Sequence, residues 1–315
     1  MFNDLLNAIK FNYINPNFTA MMDTLSSEDT SRLRESINNW MFYEGLHFEQ
    51  MGDSGDKPQI TENHCRQFVD KFVSTEFNSN FSFKFDETVE ADILPFIDEV
   101  WEDNNKDSLI ANIGQMKSVT GDAFLFINYI SRFVDGEPNP DFKDPFGIYD
   151  GKNGYLKLTP IPSTICFPTF RDGFDVEDME SCTIMYPIKV ENMIGKSKIV
   201  LEKYIYFADK VEHWQGRDLI DTFANPYGII PIVHFKNLPQ SGRHFGLSDL
   251  RDIIPLNVEL NLKNSDISEI LDYHTAPITI VFGARVSQLE RGANKVWGGM
   301  PKDGRVENLE RNGDG

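Results

Sequence analysis

Apolar positions recur at helical spacing in the first third of the chain and switch to strand-like runs after about residue 120. Phe2, Leu5, Leu6 and Ile9 form a short amphipathic segment that Pro16 ends. Ser26 or Ser27 caps a second helix, with Glu28 and Asp29 in its first turn. It continues through Leu33, Ile37, Trp40 and Met41 to about Tyr43, and Gly45 stops it. A polar loop, MGDSGDKPQ, precedes a third helix, TENHCRQFVDKFVSTEF, whose apolar stripe is Phe68, Phe72 and Val73. Residues 77–92 are polar and acidic. A fourth helix spans about Asp92 to Trp101, with Ile93, Leu94, Ile97, Val100 and Trp101 inward and Asp98, Glu99 and Glu102 outward. A fifth, Ser108 to Val119, packs through Leu109, Ile110, Ile113 and Met116. Gly121 ends it, and Ala123 to Ile130 is apolar enough for a buried strand.

Residues 131–153 are rich in turn formers. Strand-like runs follow at Tyr155 to Pro160, Thr164 to Thr169, Cys182 to Val190, Lys198 to Phe207 and Lys210 to Gln215, separated by Gly, Asp and Asn. Helices first and clustered strands afterwards predict an α+β fold with an antiparallel sheet. No βαβ unit and no internal repeat is present, so nothing indicates a doubly wound nucleotide-binding fold.

The chain is organised around residues 225–283. A strand, Ile229 to Phe235, leads into a helix of about 27 residues, roughly 40 Å long. Ser248 is its N-cap, and Asp249 lies at the positive end of its dipole. Arg251 at N3 leaves the capping box incomplete. Pro255 lies inside and predicts a kink. Leu250, Ile253, Ile254, Leu260, Ile267 and Leu271 give an apolar stripe. Asn257, Asn261 and Asn264 give an amide stripe, and Asp252, Glu259 and Asp266 an acidic one. With Asp249, Glu269 and Asp272 the helix holds six acids against two bases, Arg251 and Lys263. Two readings of the polar stripes stand open: a solvated helix face, or a wall beside a moving polyanion. Carboxylates repel phosphate over the ~8 Å Debye length of physiological salt, while short amides touch it without gripping.

Composition narrows the function classes. The 315 residues carry 49 acids and 30 bases, a formal charge of −19. A conventional nucleic-acid binder carries a basic patch, and no such run exists here. Hydrophobic content of 40% with 25 Phe supports a sizeable core, and mean hydropathy is −0.37. No run approaches the ~18 apolar residues of a membrane span, and the N-terminus is too polar for a secretory signal. Cys65, Cys166 and Cys182 are widely spaced and odd in number, which fits unpaired thiols in a reducing compartment.

Chemical motifs are mostly missing. Gly195-Lys196-Ser197 ends like a Walker A loop, but Val190 stands where the first Gly belongs. His47, His64, His213, His234, His244 and His274 show no metal-ligand spacing. No G-x-S-x-G elbow occurs. Asp98-Glu99 and Glu102-Asp103 are the acidic pairs a carboxylate enzyme, such as a glycoside hydrolase, would need; on an amphipathic helix they also read as a solvated face. Trp40, Phe42 and Tyr43 read as core rather than as a stacking platform.

One ordered set of segments resembles a known family, the portal proteins of tailed bacteriophages, especially the branch of long-tailed phages of Gram-positive hosts. NWMFYEGLHF (39–48) is similar to the family's early aromatic-Tyr-x-Gly segment, and ENHCRQFVDKFVSTEF (62–77) to its Asn-initiated helix. MKSVTGDAFLFINY (116–129) resembles its helix–Gly–strand step, and NPYGIIPIVHFKN (225–237) its Pro-x-Gly-x-x-Pro strand. FGLSDLRDIIPLNVELNLKNSDI (245–267) resembles its Gly-x-Ser-Asp-Leu helix, and APITIVFG (276–283) the exit strand.

The resemblance implies a division of the chain. Residues 1–90 would be the helical part of an outer wing and 91–244 its α+β part, with 245–276 a first stem helix, kinked at Pro255, and 277–315 the start of a clip. The family's second stem helix, tunnel loop and crown have no counterpart within these residues, so the chain is expected to be C-terminally truncated. The implied function is structural and non-enzymatic, with no cofactor, no metal and no membrane partner. Subunits would form a ring, of twelve in the family, at one capsid vertex of the virion after assembly in the host cytoplasm. Double-stranded DNA would pass non-specifically beside Asp252, Asn257, Glu259, Asn261, Asn264 and Asp266. The clip, with Arg285, Gln288, Arg291 and Trp297, would dock the terminase motor and later the head-completion or adaptor proteins. Major capsid or scaffold protein would surround the ring. Two other classes remain: the carboxylate enzyme, and an adhesion or scaffold module without DNA contact.

Overall fold

Ser26 holds extended backbone and its hydroxyl accepts the Asp29 N–H at 3.0 Å, which starts helix α1 (Ser27–Tyr43) where the N-cap chemistry predicts. Gly45, at φ +84°, takes the chain out of it. The structure, a computed structural model, describes residues 24–47, 60–76, 87–134, 136–144, 149, 151–171, 175–191, 197–275, 278–282 and 305–309. The expected N-terminal helix and the 51–59 loop lie outside these residues.

Three more helices follow: α2 (His64–Glu76), α3 (Glu87–Asp103) and α4 (Lys106–Thr120). Gly121, at φ +89°, closes α4, and its N–H donates to Lys117 O at 2.8 Å. Strand β1 (Asp122–Ser131) is the centre of a three-stranded antiparallel sheet, flanked by β10 (Ile232–Lys236) and β4 (Gly154–Pro162). A short ribbon joins β2 (Phe133–Val134) to β3 (Glu137–Pro138). A five-stranded antiparallel sheet runs in sequence order through β5 (Cys166–Phe170), β6 (Met179–Glu191), β7 (Ser197–Tyr206), β8 (Lys210–Gln215) and β9 (Asp218–Ala224). The long helix α5 (Ile253–Thr275) comes next, and β11 (Ile278–Phe282) pairs antiparallel with β12 (Arg305–Leu309). The fold class is α+β, as the order of periodicities predicts.

The core explains how the sheets hold the helices. Leu33, Ile37 and Met41 of α1 pack on Phe167 and Met185 of the five-stranded sheet. Trp40, Phe42 and Tyr43, on the other side of α1, pack with Cys65, Val69, Val119 and Leu250, against which Ile253, Ile254 and Val258 lie. The aromatic triplet is core, as expected. Helix α1 thus sits between the sheet body and the base of α5. Leu109 and Ile113 of α4 cover Ala123 and Leu125 of β1.

One expectation is corrected, and one strand is unexpected. On α2 the buried residues are Cys65 and Val69, while Phe68 and Phe72 are exposed and stack on each other at 6.3 Å. Strand β9, with every residue exposed, carries no burial signal and escapes the periodicity. It exists because Gly216 (φ +63°) turns the chain back onto β8.

Candidate functional site

Three segments, the first more than a hundred residues before the other two, meet where the chain enters α5. An added Cβ on Gly246 would meet Asn237 O at 2.2 Å and Gly121 O at 2.4 Å, so only glycine lets these backbones touch. The Asn237 N–H donates to Gly121 O and the Leu247 N–H to Asn237 O, both at 2.8 Å. Asp122 Oδ1 accepts the Gly246 N–H at 2.9 Å and faces His234 Nε2 at 2.7 Å. Asp249 is held from two sides, by the Ser118 hydroxyl at 2.6 Å and the Asn237 amide at 2.9 Å. Glycine and short polar side chains of the 116–129, 225–237 and 245–267 segments therefore make one backbone junction.

The junction changes where α5 starts. The Ser248 hydroxyl accepts the Leu250 N–H at 3.0 Å and also reaches Val119 O at 2.6 Å, so it caps a turn that is tied to the end of α4. Leu250 is fully buried there, and regular helix begins only at Ile253. The helix has 23 residues, about 35 Å. Pro255 consequently lies in the first turn, where N–H groups have no intrahelical partner, and it does not break the ladder. The kink expected inside the helix is corrected on that ground.

Beside Ile253, Ile254 and Val258, which pack on the core, the face by which α5 meets the body is polar. Ser265 Oγ accepts the Ile60 N–H at 3.1 Å, Asn261 Oδ1 the Glu62 N–H at 2.9 Å, and Asn257 Oδ1 the His64 N–H at 2.8 Å. Asn257 Nδ2 and Asn261 Nδ2 both donate to Glu62 O, at 2.9 and 3.3 Å. The geometry is a match of repeats. Four residues of helix rise ~6.0 Å, and two residues of extended chain ~6.6 Å. Side chains at i, i+4 and i+8 of a helix can therefore pair with every second N–H of a strand-like segment.

His47 closes the ladder from behind. Its ring is fully buried beside Phe42, at 5.0 Å between centroids. Nε2 bonds the Phe42 carbonyl at 2.9 Å, so Nε2 carries the proton. Nδ1 lies 2.7 Å from Asn261 Nδ2 and 3.3 Å from Asn257 Nδ2 and accepts from them. Burial lowers the His47 pKa from its ordinary 6.5, against a smaller opposing effect of the Phe42 carbonyl.

The residues expected to face DNA fall into two groups. Asn257 and Asn261 are 3% and 0% exposed, turned into the body, which corrects their assignment to an open face. Neighbouring backbone donors outcompete solvent for their oxygens. Asp252 and Glu259 are exposed, Asn264 and Asp266 half-buried. Asp252, Glu259 and Asp266 recur every seven residues, a drift of about 20° per step, and lie roughly opposite the ladder. Between the two faces runs an apolar flank, Leu256 (73% exposed), Leu260, Ile267 and Leu271, while exposed Ile270 falls on the acidic face. The expected apolar stripe thus splits. Leu250, Ile253 and Ile254 pack inward, while Leu260, Ile267 and Leu271 point out. Arg285, Gln288, Arg291 and Trp297 lie outside the described residues. Sequence reasoning missed His47 and Ser265; the spacing of Ser265 from Asn257 and Asn261 was the available signal.

Elsewhere, charged groups are mostly matched. On α3, Asp98 and Glu102 are exposed, and Glu99 is bonded to Lys152. Burial raises the Asp103 pKa, Lys152 opposes it, and Glu99 and Glu102 add to the rise. A cleft of about 570 Å³ between β5–β6 and β10 includes Arg171, Glu177 and Lys236, with Lys236 paired to Glu177 at 3.2 Å. Cys166 and Cys182 are buried free thiols 3.3 Å apart, and burial raises the Cys166 pKa. Among the described residues no group of His, Cys, Asp and Glu is arranged to hold a metal, and no helix is long and apolar enough to cross a membrane.

An α+β body that carries one long helix on a polar ladder, with an acidic and an apolar face left open, is built like an assembly subunit. The family model for phage portal proteins, SPP1 Gp6-like, matches residues 16–313, and the chain belongs to that family. None of the curated proteins compared matches it. Membership makes the protein a structural component of the phage capsid vertex, in a family of ring-building portal subunits.

Proposed function

We propose that α5 is one stave of a channel wall through which double-stranded DNA moves during packaging and ejection. The observation that carries this is the arrangement of faces on α5: the amide ladder fixes one side to the body, and Asp252, Glu259 and Asp266 lie opposite it. An acidic wall repels phosphate within the ~8 Å screening length, which suits a surface that must pass DNA without holding it. The chain's charge of −19 points the same way.

On this reading residues 1–244 are the wing, 245–276 the first stem helix and 277–315 the beginning of the clip. The apolar flank of α5 packs against the neighbouring copy in a closed ring of twelve. Its acceptors elsewhere are the terminase motor and the adaptor or head-completion proteins, docked at the β11–β12 region with Arg285, Gln288, Arg291 and Trp297, and major capsid or scaffold protein around the wing. Asp252, Glu259 and Asp266 face the DNA, while half-buried Asn264, about 140° round the helix from Glu259, does not share that face.

The test is charge reversal on the acidic line. Glu259→Lys with Asp266→Lys adds phosphate attraction where the wall repels, so DNA packaging in infected cells slows, most at low salt. Rings seen by electron microscopy persist, because the substituted face is not the one that packs. Unchanged packaging rates at low salt would falsify the lining role.

A further inference from the structure

We infer that His47 is an acid-sensitive latch on the ladder that fastens α5 to the body: protonating its ring opens the contact between α5 and residues 60–65. The inference stands on the hydrogen-bond directions alone and does not depend on the channel reading.

Each amide in the ladder is fixed in orientation by backbone donors. Asn261 Oδ1 is taken by the Glu62 N–H, and Asn257 Oδ1 by the His64 and Cys65 N–H groups at 2.8 and 3.2 Å. Both Nδ2 groups must therefore point away from those donors, toward Glu62 O and His47 Nδ1. The Phe42 carbonyl fixes the ring's proton on Nε2. Nδ1 is thus an obligate acceptor facing two N–H donors. A second proton on the ring turns it into a donor aimed at donors, inside a site with no exposure. Rotating either amide to offer its oxygen would strip the acceptor from a backbone N–H, so the network has no alternative arrangement that accepts the charge.

The charged and titratable groups around the site do not supply a counter-ion. On the 60–66 segment, Glu62 and His64 pair with each other at 3.2 Å on the surface, and Arg66 lies over the Tyr43 ring. The Cys65 thiol, near Asn257 Oδ1, has its pKa raised to about 11 by burial. At the end of α1, the Tyr43 hydroxyl is bound to Asp70 and Gln115, with its pKa pushed up to about 12, and Glu44 is exposed. On α5, Glu259 is exposed and paired with Lys263 at 3.4 Å.

The sign follows from the lowered His47 pKa. The folded state binds the proton more weakly than the unfolded chain, so the latch is intact above the ordinary 6.5 and weakens as pH falls through it. Loss is complete once pH is below the lowered folded value. Protection falls about tenfold for each unit separating the two.

Hydrogen exchange of the full chain, corrected for the pH dependence of intrinsic exchange, tests this at the Ile60, Glu62, His64 and Cys65 amides. Between pH 7.5 and 5 these amides lose protection in the native sequence. His47→Gln keeps one donor and one acceptor without a titrating group, so its protection stays flat over the same range. His64→Gln retains the acid response. Undiminished protection of the native chain at pH 5, or an equal acid loss in His47→Gln, overturns the proposal. Should His47→Gln be unprotected even at pH 7.5, an NMR titration of the native His47 ring decides. A midpoint at the acid end of the range over which protection falls supports the latch; one above that range, or more acidic than it, overturns the proposal.

Discussion

Asn261 is buried completely and yet uses both ends of its amide: the oxygen takes the Glu62 N–H, the nitrogen serves His47 and Glu62 O. Replacing it with Ala leaves the Glu62 N–H without its acceptor and reduces His47 Nδ1 and Glu62 O to the donors they share with Asn257. An orphaned group costs about 1–3 kcal/mol. The Glu259–Lys263 pair on the far side is 64% exposed at both partners, and such pairs contribute little, roughly 0–1 kcal/mol. Asn261→Ala is therefore expected to lower the urea midpoint clearly, and Glu259→Ala to leave it almost unchanged. Equal midpoints for the two variants would mean that the ladder holds nothing. The Asn257–Asn261 stripe was legible in the sequence as a stripe, but not its direction. Periodicity reports which residues share a face, not which face is inside, and polar residues ordinarily face out. Here the deciding factor is a set of unpaired N–H groups on residues 60–65, which only the folded chain brings opposite the helix.

At the scale of elements, most strands and helices could be placed because burial on one side imprints a period on the sequence. The start of α5 could not. Ser248 reads as a helix cap and does cap a turn, but that turn is bound to Ser118 and Val119, so the regular helix is displaced to Ile253. Two substitutions separate these roles. Pro255→Ala is expected to change stability by less than about 1 kcal/mol, because the first turn tolerates either residue. A structure of that variant should show α5 running in the same direction; a change of direction would restore the kink. Gly246→Ala, by contrast, places a methyl group 2.2 Å from Asn237 O and 2.4 Å from Gly121 O, both backbone atoms. The junction must then open, at a cost on the order of 1–3 kcal/mol, read as a lowered thermal midpoint. An unaltered midpoint would show that the junction gives way freely.

For the whole molecule, the faces of α5 divide the work between assembly and transport, and they can be tested against each other. Leu256, Leu260, Ile267, Ile270 and Leu271 are all exposed in the isolated chain, although each gains about 1.5–3 kcal/mol from full burial. Helical spacing sets Leu256, Leu260, Ile267 and Leu271 beside the acidic line and only Ile270 on it, so a neighbouring copy can cover the flank while the acids stay open to the channel. Leu260→Glu with Ile267→Glu puts charge into the proposed subunit contact without touching the ladder or the junction. The double variant should therefore fold with native stability, remain monomeric by light scattering at concentrations where the native chain forms rings, and package no DNA. Glu259→Lys with Asp266→Lys should form rings and package slowly. If the glutamate variant instead builds normal rings, the flank is not the contact between copies. If the lysine variant loses its rings, the acidic line belongs to that contact and cannot face the DNA.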